Sequence, residues 1–137
     1  PNPKLRSIYE KEHAAIGKTP NRFGMIMTEV AYREGEEWLD QLMLYLENNK
    51  NIFTASLRSL NKVKVFDLEA TYLVWVDFSN LYVTQTELKN MLIKEAGVAP
   101  SFGGGFGKNT AKFARFNIAC RTEILDLAIK RLTKTFM

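Results

Sequence analysis

Residues 72–78 constrain this chain more than any others. They read Y-L-V-W-V-D-F, almost wholly β-branched or aromatic. Such a run suits a strand with both faces largely covered, set inside a sheet rather than at its edge. A sheet of that kind needs further strands beside it and helices over it. Asp77 interrupts the run. A carboxylate there needs a partner or must sit where the strand ends.

The second strand signal is Lys112 to Arg121, K-F-A-R-F-N-I-A-C-R. Side chains along a strand alternate between its faces. One face then carries Ala114, Phe116, Ile118 and Cys120, all fit for a core. The other carries Phe113, Arg115, Asn117 and Ala119. Arg115 is the candidate functional residue, predicted to stand on a rigid strand away from the main core with Asn117 beside it. A guanidinium held this way offers a planar fork of donors that matches a carboxylate or phosphate. An ordinary solvated arginine fits the same alternation.

The rest of the chain reads as support. Lys4 to Ile16 is an amphipathic helix ending near Gly17. Thr19-Pro20 reads as N-cap and first helical position of a helix to Glu34. Its apolar residues, from Phe23 to Tyr32, are too widely spread for one stripe and predict burial on more than one side. Gly35 ends it. Glu36 to Leu60 is the longest helical pattern, with Asn48, Asn49 and Asn51 as weak helix formers in its middle. Val63 to Phe66 alternates as a short strand. Thr84-x-x-Glu87 is a capping box opening a helix to about Ala96, closed by Gly97. Val98-Ala99 reads as a brief strand, Pro100 to Gly107 as a flexible glycine-rich loop, and Phe113 to Ala119 as a strand. Thr122 to about Thr135 is a last helix packing Ile124, Leu127, Ala128 and Leu132. The expected architecture is α/β, a small sheet covered by helices.

Residue chemistry alone gives no reaction. Gly103, Gly105 and Gly107 do not form G-x-G-x-x-G, and no lysine-serine pair follows. His13 stands alone and reads as surface. Tyr72 and Trp75 read as core. Glu69 and Asp77 are too far apart to be a catalytic pair. No metal-ligating or nucleophile–base set is present.

Length fits one domain, residues 1–137. Cys120 is the only cysteine, so no internal disulfide forms and a reducing, cytoplasmic setting is expected. There is no span of about 18 apolar residues and no signal peptide, so no membrane partner is expected. The net charge of +4 raises a basic binding module, without catalysis, as an alternative. The basic residues are scattered, however, with no run of the kind that binds nucleic acid, and no such partner is expected. The chain opens at Pro1, not methionine, so a processed chain or a piece of something longer is expected. Pro1, Asn2 and Pro3 read as an extended lead-in.

Several stretches together resemble one family. They are A-Y-R-E-G-E-E-W-L-D-Q-L within 21–46, L-E-A-T-Y-L-V-W-V-D-F at 68–78, E-A-G-V-A at 95–99, F-G at 106–107 and F-A-R-F-N-I-A-C at 113–120. In order and spacing they are similar to the cystathionine β-lyase-like (MalY/PatB) branch of class I/II aminotransferases, pyridoxal-phosphate enzymes of fold type I. The resemblance implies the small C-terminal domain of a longer, homodimeric enzyme. The Schiff-base lysine and the cofactor's other contacts would lie upstream, so no catalytic or cofactor-binding residue is assigned here and this chain alone is expected to be inactive. It implies that Arg115, in the family's F-x-R-x-N pattern, grips the α-carboxylate of an amino-acid substrate, with the glycine-rich loop bordering the same cleft. The parent would be a C–S β-lyase or, alternatively, an aminotransferase. Two departures stand out: Arg121-Thr122 where the family usually has Pro-Arg, and Phe102 where it commonly has proline.

Overall fold

The computed structural model describes residues 2–17 and 19–137. Pro1 lies outside the described residues, and the extended lead-in expected through Pro3 ends at Asn2, because Pro3 is already helical. The chain divides into two compact units, Pro1–Asp40 and Gln41–Met137.

The first unit holds two helices and the start of a third. α1 (Pro3–Ile16) begins at Asn2, whose side-chain oxygen accepts from the Lys4 amide at 3.0 Å. Gly17 closes it at φ 65°, the left-handed conformation glycine adopts without strain. α2 (Arg22–Glu34) starts later than Thr19-Pro20 suggests. Asn21 is the cap, its oxygen accepting from the Gly24 amide at 2.7 Å. Neither helix has a buried residue. The broad apolar surface of α2, expected to be buried on more than one side, is open instead: Phe23 is 80% exposed and Tyr32 89%. Periodicity marks side chains that can be buried and says nothing of what covers them.

The second unit is a small α/β domain. α3 (Glu36–Arg58) buries Asn49, Phe53, Thr54 and Leu57. The sheet has β1 (Lys64–Val65), β2 (Leu73–Asp77), β3 (Ser101–Phe102) and β4 (Phe113–Asn117). Their order is β1-β2-β4-β3, antiparallel throughout. β2 is interior, as its composition demands. Asp77 is its last residue, and its carboxylate accepts from the Ser79 amide at 2.8 Å.

α4 (Gln85–Asn90) opens on the expected capping box. The Glu87 carboxylate accepts from the Thr84 amide at 2.7 Å, while the Thr84 hydroxyl accepts from the Glu87 amide at 3.2 Å. The Thr84 amide foremost, and the Thr84 hydroxyl donating to the same carboxylate at 2.8 Å, hold the Glu87 carboxyl below its ordinary value. The helix then widens into a π turn, Met91–Glu95. The Val98 amide donates to the Leu92 carbonyl at 2.8 Å, so Val98 still serves the helix end. The strand expected at Val98-Ala99 therefore forms only at Ser101–Phe102.

α5 (Thr122–Phe136) buries Leu125, Leu132 and Phe136. Ile124 and Leu127, expected on the packed face, are exposed. Two helical stripes fit this sequence, one through 124, 128 and 132 and one through 125, 129, 132 and 136, and only the sheet decides between them.

The core lies between these helices and one sheet face. That face supplies Val65, Val74, Val76, Ala114 and Phe116, with Ile118 just beyond β4. The Phe116 ring sits 5.4 Å from that of Phe53 and 6.4 Å from that of Phe78. Among the described residues, no helix is long and apolar enough to cross a membrane.

Candidate functional site

β4 directs Arg115 to the sheet face opposite the core. Its ladder partners are Trp75 on β2 and Ser101 on β3. Directly opposed residues share a face, so the arginine stands between an indole and a serine. The Trp75 ring stacks on Phe113 at 5.6 Å, and Phe113 stacks on Phe66 at 6.2 Å. Trp75 also meets Phe106 edge to face at 5.5 Å and 84°. Phe106 in turn lies under the Arg115 guanidinium, its ring centroid 4.5 Å from Cζ. At the far end, Lys64 Nζ lies 5.0 Å from the Phe66 ring centroid. The face is a continuous aromatic strip with a cation at each end.

Phe106 reaches this place from the glycine-rich stretch. Gly103–Gly105 forms one 3-10 turn, and the Phe106 amide donates to the Gly103 carbonyl at 2.8 Å. The Thr110 hydroxyl lies 2.6 Å from the Gly103 carbonyl oxygen and 2.9 Å from that of Gly107, donating across the turn. A Cβ on Gly103 would overlap the Thr110 carbonyl oxygen, so only glycine fits. What reads as a flexible loop is a clasped turn.

Arg115 itself is half-buried. Among the described residues no carboxylate pairs with it, and its Nε is buried without a hydrogen-bond partner. An unpaired buried donor costs about 1–3 kcal/mol. This group therefore carries an uncompensated charge and several unused donors, the equipment for taking an anion with two oxygens. Asn117 does not join it: its side-chain oxygen accepts from the Ala119 amide at 2.9 Å.

The far end of β4 is anchored from α3. Asn49, fully buried, donates to the Ile118 carbonyl at 3.0 Å and the Cys120 carbonyl at 2.9 Å. Its oxygen accepts from the Thr122 hydroxyl at 3.0 Å. The Thr122 amide donates to the Tyr45 hydroxyl at 2.7 Å. The strand bearing Arg115 is thus tied at its exit. Cys120 is half-buried, and burial pushes its thiol up, as expected for an inert thiol.

The other sequence candidates stay apart. His13 is exposed and stacks on Tyr9 at 5.6 Å. Tyr72, read as core, is exposed. Trp75, also read as core, stands on the face of Arg115. Trp75 and Phe106 are the site neighbours that the sequence reading missed. The pairing register would have found the first; the second needed the turn geometry. Among the described residues there is no group of three or more His, Cys, Asp or Glu that could hold a metal. None of the described lysines is buried, and half-buried Lys50 pairs with Glu47 at 2.6 Å. The arrangement offers an anion with two oxygens an unpaired guanidinium on a strand.

No protein-family model matches the chain. It is 34% identical over 113 residues to cystathionine beta-lyase PatB of Bacillus subtilis, covering 82% of this chain and 29% of that protein. It is 37% identical over 109 residues to cystathionine beta-lyase of Corynebacterium glutamicum, covering 80% of this chain and 29% of that one. Cystalysin from Treponema denticola, whose crystal structure contains pyridoxal 5'-phosphate, superposes with a TM-score of 0.87 at 26% identity, over 98% of this chain and 34% of that one. The chain thus spans about three tenths of the length of these curated relatives.

Proposed function

We propose, because this chain belongs to the cystathionine β-lyase-like branch of pyridoxal-phosphate enzymes, that residues 1–137 are the C-terminal domain of a C–S β-lyase in which Arg115 grips the substrate. The observation that carries this reading is the unpaired guanidinium of Arg115, fixed on a strand and free of any acid among the described residues. A bidentate grip on the α-carboxylate adds two charge-assisted hydrogen bonds. It also fixes the amino acid so that its Cα–H bond is presented for proton abstraction. Pyridoxal phosphate would act as the electron sink. Its anchor belongs to the remainder of the enzyme, a cytoplasmic homodimer in this reading.

The test is the full-length holoenzyme with L-cystathionine. A lyase releases a thiol and pyruvate, whereas the aminotransferase alternative yields a new amino acid. Arg115→Gln is expected to lower kcat/KM by at least about 100-fold, the low end of what two lost charge-assisted bonds of about 1.5–3 kcal/mol each imply. An unchanged kcat/KM would remove the assignment. The 137-residue chain alone is expected neither to bind the cofactor covalently nor to turn over.

A further inference from the structure

We infer that Phe106 is a positioning residue for Arg115: its ring holds the guanidinium ready for the carboxylate without occupying the donors that the carboxylate needs. The inference rests on the carboxylate reading of Arg115 given above.

Arginine is a long side chain, and ordering it on binding costs side-chain entropy. A site gains if the fork is held before the ligand arrives. An acid could hold it, but would neutralise the charge and compete with the substrate. An aromatic face attracts the cation and offers no oxygen acceptor. Arg115 has this arrangement: Phe106 lies 4.5 Å from Cζ, and no acid among the described residues contends for the charge. Phe106 is itself held on two sides. Trp75 meets it edge to face at 5.5 Å, and the turn behind it is clasped by Thr110 across Gly103 and Gly107. The ring is 51% exposed, so its packing contributes little to the core and its position beside the arginine is what remains to be explained.

The experiment uses the full-length holoenzyme and L-cystathionine, with F106L, F106Y, R115Q and F106L/R115Q. F106L keeps an apolar side chain and loses the ring face. It is expected to raise KM about three- to tenfold with kcat and melting temperature nearly unchanged, the range of a partly exposed cation–π contact. F106Y is expected to restore the parent KM. In the R115Q background, F106L should lower kcat/KM by no more than a further factor of about two, because the ring acts through the arginine. A KM unchanged by F106L, or an equal loss in both backgrounds, overturns the inference while leaving Arg115 in place. So does a fall in melting temperature that F106Y does not repair. If R115Q itself leaves kcat/KM unchanged, the carboxylate reading fails first and this inference with it.

Discussion

The two units of this chain carry apolar side chains at helical spacing and use them in opposite ways. In the first, α1 and α2 bury none of them, and Phe23 and Tyr32 stand open. In the second, Phe53, Leu57, Leu125 and Leu132 are buried against Val74, Val76 and Phe116 of the sheet. The helices differ little in composition; the sheet makes the difference. A β ladder presents a wide apolar face that several helices can share, and the first unit has no strand among its described residues. An apolar stripe is a demand for cover, and only the second unit meets that demand from within.

The comparison is broken or upheld most directly by a pair of substitutions. Phe116→Ala removes a ring that is 4% exposed and touches those of Phe53 and Phe78. It is expected to cost about 3–5 kcal/mol, enough to unfold a marginal domain. Phe23→Ala removes a ring that is 80% exposed and is expected to change stability by less than about 0.5 kcal/mol. Urea unfolding of the 137-residue chain, followed by circular dichroism, measures both. Equal losses would show that the open face of α2 is covered in solution.

The same contrast explains what could be read before the structure. The strands at 72–78 and 113–119 were legible because their patterns are local: a β-rich run and a strict alternation. The capping box at Thr84 and Glu87 was legible because all its parts lie within four residues. The side of Arg115 followed from alternation alone. The burial of Ile124 and Leu127 was misjudged because two stripes on α5 fit equally well, and the choice belongs to the sheet. Trp75 reads as core because an aromatic residue in a hydrophobic strand usually is. Its place beside Arg115 depends on the register between strands about 40 residues apart in sequence. Asn49 reads as a weak helix former in the sequence, while its amide closes a network reaching residues 118–122. Contacts of that range leave no trace in a local pattern.

Asn49 sharpens the contrast next, since the second unit also commits a buried polar group to its architecture. Asn49→Ala strips a donor from the carbonyls of Ile118 and Cys120 and an acceptor from the Thr122 hydroxyl, of which the last two keep the Tyr45 hydroxyl, at 3.4 and 3.0 Å. Unsatisfied buried groups cost about 1–3 kcal/mol each, so a loss of about 2–3 kcal/mol is expected, with water taking up part of the deficit. Denaturant unfolding checks the stability. A loss under about 0.5 kcal/mol would mean that the β4 exit is held by the Tyr45–Thr122 contact alone.

The smallest effect is expected with the opposite sign, where the second unit leaves a local gain unused. Arg121 caps α5 at φ −62° without a side-chain cap bond. Proline is locked near that φ and lacks an N–H. Among the described residues the Arg121 amide makes no hydrogen bond, while its carbonyl accepts from Ile124 at 3.0 Å and Leu125 at 3.1 Å, bonds that proline would keep. Arg121→Pro is expected to stabilise the chain by about 0.4–1 kcal/mol, chiefly by restricting the unfolded state. A rise of about 2–4 °C in melting temperature would be the reading. A fall would place the obstacle at Cys120, since proline restricts the residue before it to extended backbone. The turn from β4 into α5 would then depend on that cysteine's conformation and not on the cap.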